Sequence, residues 1–104
     1  MSGKEIPERF RRVCELDGGL TVAYDVRDVL SEDAFNDMLE LSRRIDGATG
    51  QERVDISLEF ANRVMGEPQM DELRRQLEER DGYVNGYELN RLRNEFVEKV
   101  IPKN

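Results

Sequence analysis

The stretch "LEERDGYVNGYEL", Leu77 to Leu89, carries oxygen-bearing side chains at spacings that suit calcium chemistry. Set against an EF-hand loop, Asp81 takes position 5, Gly82 the turn glycine at 6, Val84 position 8 and Glu88 the bidentate carboxylate at 12. The first half of the loop does not follow. Position 1, where a carboxylate anchors the ion, is Leu77, and position 3 is Glu79. Calcium takes about six to eight oxygens, and a loop without its first ligand falls short of them. The same residues serve equally as a corner between two helices. Asp81-Gly82 stops one helix, Val84 packs inward, and Asn85 with Glu88 at capping-box spacing starts the next. The expectation is a turn and a cap with no metal site, Asp81 and Glu88 being the residues at which weak ion binding would be sought.

Other reactive constellations fare no better. The chain has no histidine and one cysteine, Cys14, which leaves neither a zinc ligand set nor a histidine base. Ser31, Ser42 and Ser57 therefore have no histidine to activate them as nucleophiles. "DGATGQ" (46–51) lacks the lysine and the strand-to-helix setting of a phosphate loop. Glu32–Asp33 and Glu78–Glu79 are sequence neighbours that do not face each other on a helix. Cys14 reads as a small buried hydrophobe. The expectation is a protein that is not an enzyme, with no catalytic residues and no cofactor.

Charge narrows the partners. Against 16 Lys and Arg stand 23 Asp and Glu, a formal net charge of −7, which argues against a nucleic-acid surface. The arginine pairs Arg11–Arg12, Arg43–Arg44 and Arg74–Arg75 lie close to acids and read as solvated faces. No run approaches the ~20 apolar residues of a membrane span. The N-terminus has no apolar signal core. With a single cysteine, this points to the cytoplasm.

The elements that must position any site follow from periodicity. One domain is expected over 1–104, with 1–8 flexible, a β-hairpin over 9–26 and a helical body over 30–100. In the hairpin Leu20, Val22, Tyr24 and Val26 alternate with Thr21, Ala23 and Asp25, and Asp17-Gly18-Gly19 supplies the turn. A short helix from Pro7, with Phe10, Val13 and Cys14 on one side, is the rival reading there. After Ser31, a natural N-cap, the spacing predicts four antiparallel, bundle-like helices at 32–46, 52–65, 68–80 and 86–100. The stripes are Ala34, Met38, Leu41 and Ile45, widened by Phe35 and Leu39, then Val54, Leu58, Ala61 and Met65, widened by Ile56, Phe60 and Val64. Met70, Leu73 and Leu77 follow, and then Tyr87, Leu92, Phe96 and Val100. Gly66 is expected as a C-terminal glycine and Pro68 as a helix opener.

A chain of this size leaves apolar helix surface exposed, which favours a module that docks a helical or extended partner, Met38, Met65 and Met70 being adaptable contacts if exposed. Three stretches, "LSEDAFNDMLELSRRIDG" (30–47), "VMGEPQMDELRRQL" (64–77) and "DGYVNGYELNRLRNEFVEKV" (81–100), make the chain resemble the small tail assembly chaperones of long-tailed bacteriophages and prophages of Gram-positive hosts. The chain departs from that pattern at Pro68 and Gly86. The resemblance implies a non-enzymatic protein of the bacterial host cytoplasm. Its partner would be the tape-measure protein, kept soluble until the tail tube assembles, with self-association as a homo-oligomer left open. No catalytic residue is carried over, and the partner-binding residues stay unassigned. The competing reading is a small acidic regulator, of antitoxin or anti-repressor type, that covers a basic partner surface.

Overall fold

The computed structural model describes residues 5–102, which form an antiparallel hairpin followed by helices. Strands β1 (Arg11–Leu16) and β2 (Leu20–Asp25) pair with Leu16 opposite Leu20 and Arg11 opposite Asp25. The turn between them needs glycine. Gly18 and Gly19 stand at φ 79° and 78°, where a side chain would meet its own backbone. Alternation then does the rest, because Cys14, Leu16, Leu20 and Val22 all fall on one face and are buried. Of the rival helix only one 3-10 turn exists, Glu8–Phe10, so the hairpin starts at Arg11 rather than at 9. The expectation of a flexible 1–8 lies outside the described residues for 1–4, and Glu8 already belongs to that turn.

One helical turn escaped the periodicity, α1 (Arg27–Leu30), because four residues carry no period. Asp25 starts it by accepting the Arg27 N–H at 2.9 Å and gripping the same guanidinium at 2.7 Å. The four long helices follow as expected: α2 (Glu32–Asp46), α3 (Gly50–Val64), α4 (Glu67–Asp81) and α5 (Gly86–Val100). Ser31 Oγ accepts the Ala34 N–H at 3.2 Å and caps α2, and Gly47 ends it. Gly66 corrects the reading. It is the N-cap of α4 at φ −71°, its carbonyl accepting the Met70 N–H, while Met65 closes α3. With only Met65 and Gly66 between the helices, and Pro68 suited to a first turn, the glycine serves the helix that follows.

The helices and hairpin enclose two cores. The larger lies between the hairpin and α4 and α5, where Leu73, Leu77, Leu92 and Phe96 are fully buried against Val22 and Met65. Tyr24 meets Phe96 edge-on, with ring centroids 5.3 Å apart. The smaller joins Leu41 of α2, Ala48 and Ile56 of α3, with Ile45 and Phe60 beside them. The radius of gyration, 14.5 Å, exceeds the roughly 13 Å of a compact 100-residue domain, as a divided core requires.

The division corrects the stripes. Ile56, Ala61 and Met65 are buried, but Val54 and Leu58 are about half exposed, as are Phe35 and Leu39 on α2. α2 and α3 cover each other along a seam narrower than their apolar width, and among the described residues the remainder stays about half exposed. Tyr87, expected on the α5 stripe, is 92% exposed, and Met65 and Met70 are core residues rather than free contacts. Leu77→Ala is expected to cost about 2–5 kcal/mol by cavity formation. Val54→Ala should stay within about 0.5 kcal/mol. Urea unfolding followed by circular dichroism measures both, and equal losses would contradict the assigned burial.

Candidate functional site

The corner at 81–88 is closed by its own side chains. Gly82, at φ 80°, ends α4 and donates its N–H to the Glu78 carbonyl at 2.8 Å. Asn85 Oδ1 accepts the N–H groups of Tyr87 and Glu88 at 3.0 and 3.2 Å, which is the N-cap expected of it. Glu88 does not complete a capping box. Its carboxylate accepts from Arg80 at 2.7 Å and faces Arg91 at 3.6 Å. Arg80 also binds Asp81 through two bonds of 2.9 and 2.7 Å, holding the Asp81 carboxyl below its usual range. Asp81 and Glu88 thus share one guanidinium, which a cation would have to displace. Among the described residues no group of three or more His, Cys, Asp or Glu is placed to hold a metal.

A surface cleft lies where the two cores meet. An apolar slot of about 40 Å³ opens between α1, α2 and α3, lined by Val29, Ala34, Met38, Phe60, Val64 and Ile101. It shares Asp28, Val29, Arg63 and Val64 with a wider groove of about 500 Å³ that reaches Ile6, Tyr24 and Pro68. The rim is polar: Arg63 pairs with Asp37 at 2.9 Å, and Arg27 with Asp25. Phe35 and Leu39 on α2 and Val54 and Leu58 on α3 add exposed apolar area to the same two helices.

Comparison with known proteins finds nothing similar. No family model, no curated protein and no solved structure matches the chain.

Two polar arrangements were invisible to periodicity. Arg93 is buried between α3 and α5, and donates to Asn62 Oδ1 at 3.1 Å and to Asn90 Oδ1. It ties the small core to the large one, yet an arginine in a helix carries no sequence signal for that role. The second fastens the hairpin. Both Glu95 carboxylate oxygens accept the Asp17 N–H at 3.1 Å, and Lys99 bridges Glu95 at 3.0 Å and the Glu15 carbonyl at 2.6 Å. On the other strand, Gln76 accepts from the Thr21 N–H and donates to the Thr21 carbonyl.

Partial burial pushes the Glu95 carboxyl up, but Lys99 and the Asp17 N–H outweigh it and leave it below the ordinary value of 4.5. A depressed carboxyl contributes stability that is complete above its unfolded value and is lost as pH falls through the folded one. Glu95→Gln should therefore flatten the loss of melting temperature between about pH 6 and about pH 3. An unchanged pH profile would remove Glu95 from the anchor. At the corner, Asn85→Ala should cost about 1 kcal/mol. Millimolar calcium should leave the melting temperature of the native chain where it is, whereas a rise would restore the calcium reading.

Proposed function

We propose that this chain is a phage or prophage tail assembly chaperone, a non-enzymatic protein of the bacterial host cytoplasm that binds and solubilises the tape-measure protein. One observation carries the reading. Phe35 and Leu39 on α2 and Val54 and Leu58 on α3 are exposed apolar residues on a lobe whose own core is small, in a chain of net charge −7. Apolar contact area on an acidic body suits reversible cover of a sticky helical partner, because net charge keeps the free protein soluble while the faces stay available. The order of the three stretches 30–47, 64–77 and 81–100 supports the same reading. Among the described residues no helix is long and apolar enough to cross a membrane.

The test is co-expression with segments of a tape-measure protein encoded beside this gene, followed by pull-down at low and high salt. Capture should survive high salt, since apolar contacts are not screened. Phe35→Ser with Leu58→Ser should lower capture by about tenfold or more while the free protein melts unchanged, the scale of losing one well-packed anchor. Capture of no segment by a folded chain would overturn the reading and favour the acidic regulator.

A further inference from the structure

The outer edge of β1 is complementary to a second copy of itself. In the observed register Phe10, Arg12, Cys14 and Leu16 face β2 with their backbone groups, as the 2.9 Å bond from the Val26 N–H to the Phe10 carbonyl shows. Arg11, Val13 and Glu15 therefore point their N–H and C=O groups away from the hairpin. Two of these groups are already taken. The Arg11 N–H donates to the Glu8 carbonyl, and the Glu15 carbonyl accepts from Lys99. The Val13 N–H and C=O and the Glu15 N–H have no partner among the described residues, and the Arg11 carbonyl holds only Arg12's own guanidinium. On the far side β2 packs toward α4, and Gln76 already occupies Thr21. Ala23 of β2 is likewise unpaired among the described residues, but β2 has no charges of opposite sign along its edge, whereas β1 runs from Arg11 to Glu15.

We propose that β1 pairs antiparallel with β1 of a second copy about a two-fold axis at Val13, giving a four-stranded sheet. That register sets Val13 against Val13 and Arg11 against Glu15. The two Val13 residues exchange both backbone bonds, and each Glu15 N–H reaches the other copy's Arg11 carbonyl, displacing Arg12. The two remaining ladder groups, the Arg11 N–H and the Glu15 carbonyl, are held in each copy by the Glu8 carbonyl and by Lys99, so the incoming strand displaces both contacts as it pairs. Side chains agree with backbone. Val13 is half exposed, and Arg9, Arg11 and Arg12 have no carboxylate partner among the described residues.

At the other end of the edge lies an open groove lined by Glu15, Asp17, Glu95 and Glu98, along with Arg91 and Lys99. Asp17 and Glu95 already pair with Arg91 and Lys99, which leaves Glu15 and Glu98 for the incoming arginines. Charged residues ordinarily blunt an exposed edge. Here the signs run from positive to negative along the strand, so parallel pairing in register meets Arg with Arg and only the antiparallel one matches opposite charges. An acidic peptide would satisfy Arg11 but meet Glu15, and a phosphate backbone offers no donor for the Val13 carbonyl. The pairing needs nothing from the chaperone reading and stands or falls separately.

Sedimentation equilibrium of the full chain alone, with hydrogen exchange at Val13, provides the test. The expected result is a concentration-dependent dimer with a slowly exchanging Val13 amide. Val13→Pro removes an N–H that β2 does not use, a position where proline is tolerated, and should give a monomer of unchanged helicity. Arg11→Glu and Glu15→Arg should each weaken the dimer by about tenfold, and the double variant, which restores opposite charges across the axis, should regain most of it. A monomer up to about 1 mM would overturn the proposal. So would a dimer that persists in Val13→Pro, or a double variant no better than the single ones. If Val13→Pro fails to fold, the charge-swap set decides alone.

Discussion

The structure depends on one packing event, the seating of the hairpin's apolar face across α4 and α5. A two-stranded hairpin is marginal in water on its own, and α4 offers little beyond Met70, Leu73 and Leu77 to bury. Neither partner is stable alone, and each completes the other. Leu73, Leu77, Leu92 and Phe96 are fully buried because Cys14, Leu16, Leu20 and Val22 lie over them. The polar fastenings follow from that contact and act at its margins. Glu95 and Lys99 of α5 hold the turn end of β1, and Gln76 of α4 holds β2. Such exposed bonds add modestly to the burial beneath them, but they decide which backbone groups of the sheet remain available.

The second core is a consequence of the first. Once α4, α5 and the hairpin have closed on one another, α2 and α3 are left to bury their stripes mainly against each other, with α1 and Ile101 at the junction. Leu41, Ala48 and Ile56 form the small buried cluster there, and Arg93 with Asn62 fastens the lobe to α5. The guanidinium is held by two amides rather than by a carboxylate. Neutral partners take its two terminal nitrogens without setting a second charge in the same buried place, where desolvation costs more than pairing often returns, while Nε has no partner among the described residues. The exposed Phe35, Leu39, Val54 and Leu58 are what a lobe with so little core leaves uncovered.

The chain's order of elements was legible because each boundary has local chemistry. Ser31 and Asn85 cap helices through their own side chains, Gly18, Gly19 and Gly82 take left-handed conformations, and α2 and α5 run over the spans that the periodicity marks. Glu88 was misread for a nonlocal reason. Its capping-box spacing is correct, but Arg80 lies within reach across the corner, and a charge-assisted bond outcompetes a return to the Asn85 N–H. Gly66 was misread because a helix end and a helix start are both local signals, and with only Met65 and Gly66 between α3 and α4 one residue cannot serve both.

By itself, then, the sequence determined the hairpin, the four long helices and the corner at 81–88, since all of these rest on residues within a few positions of one another. Only the tertiary structure decided which apolar stripes are buried. Val54 and Leu58 have the same period and polarity as Leu73 and Leu77, and no local property separates them. Burial is set by whether another element arrives to cover a face, and that depends on the division of the core between two lobes. The same holds for the open edge of β1: alternation predicts a strand, but only the placement of α4, Gln76 and Lys99 determines which of its backbone groups are left unpaired.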